Sequence, residues 1–181
     1  MREWGTPAAG DGEAFTVVSR GDFVTSLLFS SSPRGPHPLV LVTAALGSDK
    51  RSSTIARLCR ALVHEGLCAA VIDLPLQGER ASAKLSDWLL RCVTQRDRTE
   101  ADRLLWDEFL HQSALDLSAT CTALARRPMI LGERIGCVAL NPGAEAAAAW
   151  AARDGRVRTC LVADPDADPE RIARQLREQL A

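Results

Sequence analysis

Arg134-Ile135-Gly136-Cys137-Val138-Ala139-Leu140-Asn141-Pro142-Gly143-Ala144 is the stretch on which the fold turns. Ile135 to Leu140 is a short, mostly apolar run, the pattern of a strand covered on both faces. Asn141-Pro142-Gly143 is turn chemistry, and the Ala-rich segment from Glu145 to Arg153 reads as a helix. A strand, a tight turn and a helix form the setting in which a G-x-S-x-G turn presents a nucleophile. Here Ala139 holds the first glycine position, Asn141 the nucleophile position, and only Gly143 matches. The stretch has the architecture of a catalytic turn without its chemistry.

The rest of the chain supplies matching units. Phe15-Val18 and Phe23-Phe29 are β-branched and aromatic, with Ser19-Arg20-Gly21-Asp22 between them, so they predict an antiparallel hairpin. Ser30 to Pro38 reads as a loop, and Leu39-Val42 as a buried strand followed by a loop from Thr43 to Asp49. Ser52 to Glu65 has apolar positions at Ile55, Leu58, Leu62 and Val63, which predicts an amphipathic helix capped by Gly66. Leu67-Ile72 is a second buried strand, followed by a loop from Leu74 to Arg80 and a short helix from Ser86 to Val93. Gln95 to Glu100 is a charged link. Ala101 to Arg126 is the longest helical pattern, with Leu104, Leu105, Phe109, Leu115, Leu117 and Leu124, and Pro128 stops it. A strand at Val157-Val162 and a helix from about Asp168, with Ile172, Leu176 and Leu180, complete the series. Alternating strands and helices imply a three-layer α/β/α sandwich with a mostly parallel sheet behind an N-terminal antiparallel hairpin. Residues 1–13, rich in Gly and Pro, are expected to be a flexible terminus, and 14–181 a single domain.

Composition excludes several functions. With a net charge of −1 and scattered arginines, there is no electrostatic case for nucleic acid. No apolar run approaches a membrane span. Six cysteines without a C-x-x-C pair, most of them within apolar runs, fit small core residues in a reducing cytoplasm. Gly132 and Gly136 precede a strand, whereas a dinucleotide fingerprint follows one, so no cofactor is expected. Asp164-Pro165-Asp166-Ala167-Asp168 lacks the glycine and terminal Glu of a calcium loop; it reads as a loop and a helix N-cap rather than a metal site. His64 lies where a cation meets a helix C-terminus. Cys137 sits inside its strand, and His111 and Ser113, two positions apart, do not share a helix face.

Three places together resemble the α/β-hydrolase superfamily, nearest its dienelactone-hydrolase-like esterases and peptidases. They are Pro38-Arg51, where Ala44-Ala45 stands in place of His-Gly; Ala70-Arg80, which resembles the D-x-P-x-x-G-x-R strand and loop; and the turn at Asn141. The resemblance covers roughly residues 15 to 165 and implies an abbreviated α/β-hydrolase-like domain. It also implies what is missing. Asn141 cannot act as the serine, and Pro142 has no N–H to give an oxyanion. The triad order is Ser, acid, His, yet His37, His64 and His111 all precede the turn. The chain stops about where two further strands would follow, so the sheet is expected to carry an open edge. The expectation is therefore a non-catalytic protein. It would bind a small apolar ligand at the strand ends, lined by Ala44, Ala45, Leu74, Pro75, Asn141 and Pro142, or a second copy or other protein at the open edge. The alternative is an ester or thioester hydrolase with unusual or partner-supplied residues.

Overall fold

The computed structural model describes residues 12–30, 35–94 and 98–181. The expected flexible terminus therefore lies outside the described residues up to position 11, as do parts of the 30–38 loop and the charged link.

Among the described residues, six strands and five helices follow one another in the order the residue patterns predict. Strands β1 (Glu13–Ser19) and β2 (Asp22–Phe29) form the hairpin, followed by β3 (His37–Thr43), α1 (Ser53–His64) and β4 (Cys68–Ile72). A single 3-10 turn (Gly78–Arg80) leads to α2 (Ala83–Thr94) and α3 (Glu100–Leu124). Then come β5 (Ile130–Leu140), α4 (Glu145–Ala151), β6 (Val157–Ala163) and α5 (Pro169–Leu180). The sheet order is β1-β2-β4-β3-β5-β6. β2 pairs antiparallel with β1 and β4, and the remaining pairs are parallel. The hairpin turn puts Arg20 and Gly21 both at positive φ, 53° and 83°, which matches the right-handed twist of the flanking strands.

Alternation along β3 divides the core in two. Leu39 and Leu41 face the layer of α2, α3 and α4, while Val40 and Val42 face the layer of α1 and α5. Both layers are dry: Trp150, Leu117 and Leu124 are buried on the first side, Ile55, Leu62, Leu176 and Leu180 on the second. Ser52 caps α1, Asp168 caps α5, and Thr99 with Asp102 forms a capping box on α3.

Several boundaries differ from the sequence reading: β1 begins at Glu13 rather than Phe15 and α2 at Ala83 rather than Ser86. β3 begins at His37 inside the expected loop, and β5 begins at Ile130 rather than Ile135. His37 and Pro38 pair with Ile130 and Leu131, after which the register jumps so that Leu39 faces Ile135. The polar Gly132-Glu133-Arg134 is a bulge, and it interrupts the apolar run that a strand would show. On α3, Leu104 is 66% exposed and Leu105 47%; the core stripe is Trp106, Phe109, Ser113, Leu117, Thr120 and Leu124.

Candidate functional site

The chain leaves β3 toward β4 on one side and leaves β5 toward β6 on the other. In open α/β sheets such a divergence marks the usual ligand site, at the strands' carboxyl ends. All six expected pocket residues come to that end, because β3, β4 and β5 run parallel. Ala44, Ala45, Leu74 and Pro75 are buried there, with the two alanines in the α1/α5 cluster and Leu74 in the opposite one. Asn141 is half-buried and Pro142 exposed.

The turn itself is held from three sides. The Asn141 backbone N–H donates to the Ala163 carbonyl at 2.9 Å, extending the β5/β6 ladder by one bond. Its side-chain amide donates to Asp164 Oδ1 at 3.2 Å. After a cis peptide bond to Pro142, the Pro142 carbonyl accepts the Leu46 N–H at 2.7 Å. Gly143 has φ of 108°, and a Cβ placed on it would lie 2.5 Å from Leu46 Cγ. Leu46, only 6% exposed, therefore fills the space beside the turn. Nothing in the sequence pattern singled it out, because an apolar residue in a loop carries no periodicity.

A second polar cluster lies beside β4. Asp73 is 1% exposed and Lys50 2%. Asp73 accepts the Lys50 backbone N–H at 3.0 Å and the Glu79 N–H at 3.1 Å, and its carboxylate pairs with Lys50 Nζ. Lys50 Nζ also reaches Thr25 Oγ1 at 3.0 Å and Glu79 Oε1 at 3.1 Å. The hydrogen bond from Lys50 holds the Glu79 carboxyl below its ordinary range. Arg80 spans the neighbouring gap: Nη1 donates to the Asp73 carbonyl at 3.0 Å and to buried Asp116 at 2.8 Å, and Nη2 to Asp22 at 2.6 Å. Gly78 closes the loop at φ of 51°, where a Cβ would sit 2.4 Å from Asp73 Cγ. Asp73, Gly78, Glu79 and Arg80 thus each have a structural partner or a steric reason, whereas the buried Gln77 Nε2 has no hydrogen-bond partner. Buried charges of this kind are tolerable only when paired.

No protein-family model and no curated protein matches the chain, but its fold recurs in solved enzymes. A cold-adapted esterase from an Arctic intertidal metagenomic library superposes with a TM-score of 0.62 at 20% identity, over 82% of this chain and 58% of that one. A 2,6-dihydroxy-pseudo-oxynicotine hydrolase gives 0.61 at 21% identity, over 84% and 36%. The chain has an α/β-hydrolase-like fold. A third structure, Est1E from Butyrivibrio proteoclasticus with bound ferulic acid, gives 0.59 at 12% identity, over 81% and 51%. The chain spans between about a third and three-fifths of these three proteins.

Measured against the chemistry this hydrolase-like fold hosts, none of the three histidines stands beside the turn. His37 opens β3 and its Nδ1 lies 3.0 Å from the Gly66 carbonyl. It stands about eight residues along the strands from the level of Asn141, roughly 25 Å at the usual strand rise. His64 is in the last turn of α1, before β4, and thus also lies toward the far end. His111 is exposed on α3 with Arg153 Nη1 at 3.5 Å. Ser113 is buried and donates to the Phe109 carbonyl at 2.7 Å. Burial pushes the Cys59 thiol up to about 12 and those of Cys68 and Cys121 up to about 11, whereas the hydrogen bond from Cys137 lowers half-buried Cys160, which lies within β6. A hydrogen bond to Cys160, added to burial, raises Cys137 well above the ordinary thiol range. Asp164 serves Asn141, and Asp168 caps α5 by accepting the Glu170 N–H at 3.0 Å.

Two clefts lie away from the turn. A groove of about 600 Å³ runs between α1 and α5, lined by Arg57, Arg60, His64, Pro169 and Glu170 among others. A pocket of about 390 Å³ between α3 and α4 is lined by His111, Ser118, Trp150, Arg153 and Asp154. In the second, Asp154 accepts from Arg156 at 2.6 Å, Trp150 Nε1 at 3.0 Å and Ser118 Oγ at 3.1 Å. Arg156 foremost, with help from Trp150 and Ser118, holds the Asp154 carboxyl far below the usual range. The serine there donates to the acid instead of to a base, so the pocket does not assemble a triad.

Proposed function

We propose that this hydrolase-like protein is non-catalytic and acts as a protein-partner module that pairs through β6. The observation that carries the first half is the Leu46 N–H donated to the Pro142 carbonyl at 2.7 Å. Hydrolases of this fold draw one oxyanion donor from the residue after the nucleophile and another from the loop after the third strand. Here the first position is a proline without N–H, and Leu46, in that loop, spends its N–H inside the protein. Losing one such donor typically costs about a hundred- to a thousand-fold in rate. A small apolar ligand at the strand ends would require Leu46 to move aside, so the partner reading is the better supported.

The second half rests on β6. Among the described residues it pairs only with β5, and Val162 on it is 55% exposed. An unpaired edge of Val157-Arg158-Thr159-Cys160-Leu161-Val162-Ala163 is β-prone and carries one charge. A second copy is the occupant the strand suits. Antiparallel pairing about Cys160 would set Arg158 opposite Val162 and Thr159 opposite Leu161, so no like charges meet and the assembly closes as a two-fold.

Light scattering on eluted protein is expected to give a dimer, and Val162→Lys, which would set a lysine against the partner's Arg158, a monomer. A monomeric wild type at high concentration, or a heterologous strand as the sole binder, would refute the two-fold. Hydrolysis of activated acyl esters tests the rest: turnover abolished by Asn141→Ala would overturn the non-catalytic reading. The second reading, an esterase completed by another chain, is favoured by the esterases among the structural neighbours.

A further inference from the structure

We propose that the groove between α1 and α5 is a binding site for a compact oxyanion, a phosphate or dicarboxylate. Arg57, Arg60 and His64 follow one another at i, i+3 and i+7, so they share one face of α1, and all three are exposed. Among the described residues no ion pair involves Arg57 or Arg60, so neither guanidinium is neutralised by a carboxylate of the chain. The surrounding layer has the same sign. α1 and α5 together carry five arginines against two glutamates, in a chain whose net charge is −1. Two guanidinium groups three residues apart on a helix can each present paired donors to one planar or tetrahedral anion. The small side chain of Ala61 leaves room between them for the ligand to approach.

The size of the ligand follows from the ends of the groove. Glu65 lies at its end by the α1 C-terminus and Glu170 at its end by the α5 N-terminus. An extended polyanion such as an acidic peptide would have to pass both carboxylates, and like charges would oppose it. A compact anion held between them lies beside Arg57 and Arg60. The volume, about 600 Å³, is that of a small-molecule site. This site is distinct from the turn at Asn141 and does not depend on whether that turn is active or on what covers β6.

The test is titration of the full chain with phenyl phosphate and with succinate at low ionic strength, followed by calorimetry and by amide shifts of Arg57 to Glu65. The expected result is one site for at least one of the two anions, and which of them binds assigns the ligand class. Arg57→Gln with Arg60→Gln should weaken it by about tenfold or more, while Arg103→Gln on α3 leaves it within about twofold. Both substitutions are at exposed positions, and an unchanged far-ultraviolet spectrum establishes that the double variant is folded. No binding of either anion at about 10 mM would overturn the proposal, as would unchanged binding by the double variant. A hexaglutamate peptide binding more tightly than both small anions would overturn the compact-ligand assignment.

Discussion

Gly78→Ala is expected to be among the most damaging single-methyl changes in the protein. Two costs combine. At φ of 51° an alanine sits in the left-handed region, about 1–2 kcal/mol above its preferred backbone. Its Cβ would also lie 2.4 Å from both Cγ and Oδ1 of Asp73, closer than real contacts allow. The Asp73 carboxylate is not a flexible tip that can swing away. It is 1% exposed and tied to the Lys50 and Glu79 backbone N–H groups and to Lys50 Nζ. Pushing it aside strips a buried lysine of its main partner, which costs about 3–5 kcal/mol when a buried pair is broken. Thr25 and Glu79 still hold Lys50, so the lower figure applies. The sum is about 4–5 kcal/mol, a large part of an ordinary domain's total stability. Urea denaturation followed by tryptophan emission would read this as a midpoint lower by about 2 M, taking a slope of about 2 kcal/mol per molar. Asp73→Ala supplies the control. With the carboxylate gone, adding Gly78→Ala should cost only the backbone strain, leaving a coupling of about 3 kcal/mol. A loss below about 1 kcal/mol for Gly78→Ala alone would refute the steric reading of the loop.

Leu46→Ala should lower stability by about 2–3 kcal/mol, the lower part of the range for a buried leucine, because the site lies next to the surface. It should nevertheless give no turnover of activated acyl esters, since the Leu46 N–H remains on the Pro142 carbonyl; appearance of activity would overturn this. Asp154→Asn should cost about 2 kcal/mol at pH 7 through its weakened bonds to Arg156, Trp150 and Ser118. Because the folded carboxyl titrates below its unfolded value, that stabilisation is complete above about pH 4 and fades as acid is added. Urea midpoints from about pH 7 down to 3 should therefore fall less steeply in the variant, and equal slopes would refute the assignment.

The order of elements was readable from the residues because each obeys one periodicity. Leu39-Val42 and Leu67-Ile72 are continuous apolar runs, and Ile172, Leu176 and Leu180 repeat every four residues. The first half of β5 was not readable, because its ladder is interrupted by the bulge at Gly132-Glu133-Arg134. On α3, Leu104 and Leu105 imitate a core stripe that Trp106 and Phe109 supply. The site was half readable. The identities of Asn141 and Pro142 at the turn follow from the sequence alone. Leu46 and the Lys50-Asp73 pair do not, since both depend on contacts between loops that sequence spacing leaves unspecified. The Asp73-Arg80 motif could be recognised in the chain, but its meaning came only from seeing what Gly78 and Arg80 touch.

The bond between Leu46 and Pro142 has a consequence for how catalysis could be reached by search. Serine at position 141 would still face a proline with no donor and no histidine nearby. Replacing Pro142 would free a donor with no nucleophile to use it. Opening position 46 would destabilise the chain and gain nothing. On the non-catalytic reading proposed above, each step taken singly meets a neighbour that cancels it, and a library of single substitutions around this turn is expected to be flat in activity. Any ascent has to begin with several changes made together, and screening designs for this scaffold should be built on combinations.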